Sequence, residues 1–159
     1  INIIKKKNLK VGFIISETQK KGRGQRGKKW ISNKGNLFVS IFFSLEKINL
    51  SLKQLTKINV ELIKKLLSKY YKKKIQIKIP NDILINNKKI CGILQETIHS
   101  KNIKYLIVGV GVNLVKNPNI SNYPTTNLNE LVKKKVTTKQ IIRDLNYIYK
   151  IFLKSYRVI

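Results

Sequence analysis

Alanine does not occur in these 159 residues, and acidic residues are scarce, with 7 Asp and Glu against 34 Lys and Arg. The single cysteine, Cys91, excludes an internal disulfide framework and any multi-cysteine metal cluster, and it fits a reducing cytoplasm. Long apolar runs are missing as well. The longest, near 105–112 and 37–45, fall well short of the roughly 18 residues a membrane helix needs. The short apolar run that follows the first lysines has no small-residue cleavage site after it, so no leader peptide is expected. The chain opens on Ile1 rather than Met, which leads us to expect a fragment.

Three residue types fill the space left by these absences: 30 Lys, 26 Ile and 17 Asn make up 73 of the 159 positions. The formal charge of +27 invites a polyanion reading, because clustered Lys and Arg release counterions from phosphate backbones. Ile and Asn take no part in charge recognition, yet they are inflated alongside Lys. An AT-rich coding bias that fills tolerant surface positions explains all three together, and specific nucleic-acid binding is not expected. With 42% apolar residues, a chain of this length has the material for one self-supporting core.

The hydrophobic periodicity predicts a strand at Val11–Ser16, a glycine-rich cationic loop at 18–35 and a second strand at 36–45. From Ser51, an expected N-cap, Leu55, Ile58, Leu62, Ile63, Leu66 and Leu67 lie on one helical face. Ile75, Ile77 and Ile79 alternate with polar residues as in a half-buried strand. Strands at 83–85, 90–98 and 105–112 follow, joined by connections too short for crossovers, so they pair as an antiparallel meander. An Asn- and Pro-rich loop at 113–127 leads to a final helix at Thr138–Ser155. There is no repeat and no internal linker. The expected fold is one α+β domain, residues 1–159, with a mixed, largely antiparallel sheet flanked by helices.

Four segments could carry chemistry. Gly22-Arg-Gly-Gln-Arg-Gly27 matches G-x-G-x-x-G and comes within one residue of a P-loop, but both motifs must open a helix that holds the phosphates, and this loop runs into a strand. The loop still gathers guanidinium and ammonium groups on a free backbone, which suits an anionic small molecule or, more blandly, a solvated basic hairpin. Trp30 at its exit is either core or a lid over a planar ligand. Asn81-Asp82 follows Pro80 at a corner. Asp82, one of two aspartates, could hold a lysine or a magnesium ion, or form an Asx turn. Lys89 opens a buried strand and could aim its ammonium into a cleft or simply be solvated. Gly109 and Gly111 interrupt a central strand, which implies close approach of a ligand or another backbone. Cys91 reads as packing and His99 as surface.

Glu17-Thr-Gln-Lys-Lys-Gly-Arg-Gly-Gln-Arg-Gly-Lys-Lys-Trp30, Ile77-Lys-Ile-Pro-Asn-Asp82, Lys88-Lys-Ile-Cys-Gly-Ile-Leu94 and Val108-Gly-Val-Gly-Val-Asn113 resemble, in order and spacing, the successive motifs of biotin–protein ligases. The resemblance covers about residues 11–115, and Tyr123-Pro-Thr-Thr-Asn-Leu128 and the last helix are compatible with it. It implies the class II synthetase-like catalytic fold and a two-step reaction. Biotin and ATP with magnesium form biotinoyl-5′-adenylate, and a lysine of a biotin carboxyl carrier protein then takes the acyl group. On this resemblance Lys89 is the catalytic lysine, assisted by Arg23. Gly22, Arg23, Gly24, Gln25, Arg26 and Trp30 belong to the ligand-enclosing loop, and Gln19 contacts the ureido ring. Asn81 and Asp82 serve the phosphate and metal side, with Asp82 as the metal ligand. Gly109 and Gly111 line the biotin pocket, and Asn113 lies near the adenylate.

The sequence departs from the family pattern in places. Ile79 stands where the family has Trp, and Gln25 where a basic residue is usual. The family's Ser-Thr-Asn segment would precede Ile1, and neither a C-terminal β-barrel domain nor an N-terminal DNA-binding domain is seen. A lipoate or octanoyl ligase or transferase shares the fold and the lysine. A basic nucleic-acid-binding module is the alternative of another class. Homodimer formation is left open.

Overall fold

The computed structural model describes residues 3–4, 9–121 and 123–159. The expectation of no leader peptide rests partly on residues 5–8, which lie outside that description. Six strands, β1 (Val11–Ser16), β2 (Leu37–Ser44), β3 (Gln76–Lys78), β4 (Asp82–Ile85), β5 (Lys88–Ser100) and β6 (Ile103–Val112), form one sheet in the order β1-β2-β6-β5-β4-β3. Every pairing between these strands is antiparallel. Among the described residues, the mixed character expected of the sheet reduces to a lone parallel bridge between Lys89 and Thr125.

The meander is set by its turns. Asn86 and Asn87 sit at φ 51° and 59°, and Lys101 and Asn102 at 48° and 62°. Two successive left-handed residues match the right-handed strand twist in a tight hairpin, and asparagine tolerates that conformation better than most residues. The second hairpin extends β5 beyond the expected range, because His99 still pairs with Lys104 and Ser100 with Ile103.

Helix α1 (Leu52–Ser68) starts at Ser51, whose hydroxyl accepts from the Gln54 N–H while the Gln54 side chain accepts from the Ser51 N–H. Helix α3 (Thr138–Ser155) repeats the device with Thr137 and Gln140, and the short α2 (Leu128–Leu131) is capped by Asn127. Each reciprocal cap satisfies two helix-end donors. The apolar faces of α1 and α3 cover one face of the sheet. Leu37, Val39, Ile41 and Phe43 of β2 and Leu106, Val108, Val110 and Val112 of β6 point into that layer, all nearly fully buried. Each such side chain contributes about 1.5–3 kcal/mol by burial. Among the described residues, no helix is long and apolar enough to cross a membrane.

Alternation turns Ser40, Gly109, Gly111 and Gly92 to the opposite face. Small residues there leave the sheet flat, and the candidate site forms on it. Asn36 brings the loop after β6 back across this region. Its Oδ1 accepts from the N–H groups of Leu114, Val115 and Lys116 at 3.0, 2.9 and 3.1 Å, and its Nδ2 donates to the Lys116 carbonyl at 2.6 Å.

Candidate active site

Strict alternation along β5 would send Lys89 to the same face as the buried Cys91 and Ile93. A β-bulge prevents this. Asp82 pairs with Gly92 and Ile83 with Cys91, but Leu84 pairs with Lys89, so Ile90 is an extra residue on β5. Ile90 and Cys91 both turn inward, each 0% exposed. Lys89 is thereby re-aimed to the face of Asp82 and Gly92, the kind of redirection bulges supply next to functional sites. Its ammonium meets Asp82 Oδ1 at 2.8 Å, with the side chains only 17% and 15% exposed. The Tyr123 hydroxyl donates to Asp82 Oδ2 at 2.6 Å. The Lys89 ammonium also lies 5.3 Å from the ring centres of both Trp30 and Tyr123, and Lys78 Nζ lies 4.4 Å from the Tyr123 ring. Burial, and then the charged Asp82 acceptor, push the Tyr123 phenol well above its ordinary value, so it stays a donor.

The glycine-rich loop is more ordered than its composition suggests. Gly24 N–H donates to the Lys28 carbonyl at 2.7 Å, and Trp30 N–H to the Gly22 carbonyl at 2.9 Å. Ser32 Oγ accepts from Gln19 N–H at 2.9 Å and donates to the Gln19 carbonyl at 3.0 Å. These bonds fold the loop back on itself and lay the Trp30 indole on the sheet. Gly92 and Gly111 face each other across β5 and β6, and a Cβ at either would come within 2.6 or 2.5 Å of that ring. The two glycines are the floor on which the tryptophan rests. Gly109 differs, since a Cβ there would meet nothing nearer than 3.5 Å. Arg23, at the loop's edge, pairs with Glu96 of β5 at 2.8 Å. That pair is largely exposed and contributes about 0–1 kcal/mol, so a ligand anion can displace it cheaply.

Loop, sheet face and the 113–125 segment enclose an open cleft of about 890 Å³. That volume falls in the range of small-molecule and cofactor sites. Gln19, Arg23, Gly24, Gln25, Arg26 and Trp30 line one side. Asn81, Asp82, Lys89, Gly109, Gly111 and Asn113 line the floor and the other side. Gly22 is the exception among the expected residues. It lies behind the wall, with no room for a side chain against the Trp30 carbonyl. Asn81 faces the cleft, but its Nδ2 donates to the Ile93 carbonyl at 2.7 Å and ties β4 to β5. The Asn113 side chain is 1% exposed; its Nδ2 donates to the Thr126 carbonyl at 3.1 Å. Asn113 Oδ1 and Trp30 Nε1 are buried without a hydrogen-bond partner among the described residues, and so is Asp82 Oδ1, which has only its ion pair with Lys89.

Asp82 as a metal ligand is the one expectation the donor set does not fit. Oδ2 accepts from Tyr123, Oδ1 is neutralised by the Lys89 ammonium at 2.8 Å though without a hydrogen bond, and no group of three His, Cys, Asp or Glu gathers among the described residues. Its visible work is to hold Lys89. Tyr123, Glu96, Lys78 and Gly92 are cleft residues to which the sequence assigned no role. Tyr123 entered only within Tyr123-Pro-Thr-Thr-Asn-Leu128, Lys78 and Gly92 only inside their motifs, and Glu96 only as one of 7 acidic residues. Cys91 is packing, as read, and burial pushes its thiol up.

Residues 2–113 match the model of the biotin/lipoate A/B protein ligase family. The bifunctional ligase/repressor BirA of Escherichia coli is 34% identical over 102 residues, which are 63% of this chain and 32% of BirA. The biotin–[acetyl-CoA-carboxylase] ligase of Paracoccus denitrificans is 30% identical over 109 residues, 67% of this chain and 45% of the relative. The chain therefore spans about a third to a half of the length of these curated relatives. The biotin protein ligase of Aquifex aeolicus, solved with biotin and ATP, superimposes with a TM-score of 0.80 at 27% identity, covering 98% of this chain and 66% of that one. A match that runs from the first residues through the loop, the bulged β5 and Asn113 makes the chain a member of the biotin/lipoate A/B protein ligase family.

Proposed function

We propose that this protein activates biotin with ATP and passes the acyl group to a lysine of the biotin carboxyl carrier protein of a biotin-dependent carboxylase, in the cytoplasm. The observation that carries the reading is the Lys89 ammonium, re-aimed by the β5 bulge and held at the floor of a cleft under a basic loop. In the first step a carboxylate oxygen of biotin attacks the α-phosphorus of ATP, the anhydride bond to the β-phosphate breaks and pyrophosphate leaves. Two anions must meet, so preorganised cations are the main requirement. Lys89 lies between the two, and Arg23 leaves Glu96 to join it. In the second step the carrier amine attacks the acyl carbon, and AMP leaves as the amide forms and a proton is lost.

The remaining contacts follow from chemistry. Gly109 leaves the sheet face bare for the biotin rings, with the Gln19 carboxamide toward the ureido group. Asn113 Oδ1, an orphaned acceptor, suits the exocyclic amine of adenine. The phosphate oxygens of the nucleotide, rather than Asp82, would carry any magnesium. Biotin is favoured over lipoate because the Paracoccus denitrificans relative is a biotin ligase by name and the Aquifex aeolicus biotin protein ligase, solved with biotin and ATP, superimposes on 98% of this chain. ATP–pyrophosphate exchange on the full-length protein tests the choice. Exchange that depends on biotin and not on lipoate or octanoate is expected; dependence on lipoate would overturn the reading.

A further inference from the structure

We infer that Tyr123 is a positioning residue for Lys89, acting through the Asp82 carboxylate; the inference rests on the adenylation reading above. A free carboxylate can grip an ammonium with both oxygens and draw it out of reach of a substrate. Here the two oxygens are divided, Oδ2 accepting from Tyr123 at 2.6 Å and Oδ1 meeting Lys89 at 2.8 Å. An ammonium has three N–H donors. The Oδ1 contact is an ion pair without hydrogen-bond alignment, so these donors remain for ligand oxygens, and joining a carboxylate to an α-phosphate presents two anionic groups at once. The hydroxyl thus keeps Asp82 a one-point anchor rather than a chelator.

Tyr123 is held by the backbone of the lysine it serves. Lys89 N–H donates to the Pro124 carbonyl at 2.8 Å, and Thr126 N–H donates to the Lys89 carbonyl at 3.0 Å. Asn113 Nδ2 adds bonds to the Thr126 carbonyl at 3.1 Å and the Lys89 carbonyl at 3.4 Å. A segment pinned on both sides of Lys89 delivers its tyrosine to one place. The ring and the hydroxyl have separable roles. The ring faces Lys78 and Lys89 at 4.4 and 5.3 Å, a cation–π arrangement that phenylalanine keeps. Only the hydroxyl reaches Asp82.

Tyr123→Phe isolates the hydroxyl. In the full-length protein, biotin-dependent ATP–pyrophosphate exchange is measured for wild type and variant, alongside biotin affinity by calorimetry and the thermal midpoint. Loss of a hydrogen bond to a charged group predicts a roughly tenfold or greater fall in kcat. KM for ATP and biotin, biotin affinity and the midpoint should stay near wild type. Three results overturn the inference: kcat within twofold of wild type, a rise in KM at constant kcat, or a loss of activity that follows a lowered midpoint. Wild-type protein without biotin-dependent exchange overturns the adenylation reading and the inference together, which separates the two failures.

Discussion

Gly111→Ala tests whether Trp30 is seated by the sheet. The added methyl would lie 2.5 Å from Cε2 and Cζ2 of the indole and 2.9 Å from its Nε1. An indole is rigid and, with only two side-chain torsions, cannot yield locally, so the whole ring must lift and take the Gly22–Trp30 hydrogen bond with it. Overpacking of this kind costs about 1–3 kcal/mol. At that cost the seated form of the loop loses roughly fivefold or more in population. Trp30 is the only tryptophan, so its fluorescence reports the site without labelling. Emission should shift to longer wavelength, biotin affinity should fall by a similar factor, and the urea midpoint should drop modestly. Gly109→Ala is the internal comparison. Its methyl meets ordinary neighbours at 3.5 Å, so Trp30 emission should hold while biotin binding weakens, because the methyl enters the cleft. Unchanged emission and affinity in Gly111→Ala would refute the seating argument.

Three further outcomes follow from other parts of the molecule. Asn36→Ala leaves three N–H groups, that of the buried Leu114 among them, without their shared acceptor, at about 1–3 kcal/mol for such a loss, and should lower the urea midpoint; an unchanged midpoint would contradict it. Asp144 accepts from the Tyr70 hydroxyl at 2.6 Å and pairs with Lys69 at 2.9 Å, which holds its carboxyl below the ordinary value. A depressed folded-state value gives stability that is present above the unfolded value, about 3.9, and lost as pH falls below it. The stability gap between wild type and Asp144→Asn should therefore narrow below about pH 4 in chemical denaturation, and a constant gap would count against the pairing. Gln25 brings a neutral amide where charge would help retain an acyl-adenylate. Gln25→Arg should slow adenylate release several-fold, and equal off-rates would mean that neighbouring lysines compensate.

Local signals in the sequence carried much of this structure. Ser51 announced a helix start, and connections too short for crossovers announced the antiparallel meander. The site was legible where one segment holds the chemistry, as in the loop and in Asn81-Asp82. It was not legible where strands and loops distant in sequence combine. Gly109 and Gly111 look equivalent as text, yet only Gly111 carries the indole, because only it faces Gly92 across β5 and β6. Alternation alone misdirects Lys89, since the bulge at Ile90 depends on pairing with β4. Tyr123 lies 41 residues from Asp82, and nothing local ties a phenol in an Asn-rich loop to that carboxylate. Asp82 itself shows the limit of composition: its rarity set it apart and left a lysine or a magnesium ion open as partner, and the structure places Lys89 beside it.

The central claim, that Lys89 provides the charge joining carboxylate to α-phosphate, is tested by ATP–pyrophosphate exchange in the full-length protein carrying Lys89→Ala. Loss of one preorganised charge contact predicts a fall of about 10²–10³ in the biotin-dependent rate. Lys88→Ala, the adjacent exposed lysine, should exchange at the wild-type rate. A Lys89→Ala protein that exchanges pyrophosphate as fast as the wild type would contradict the account.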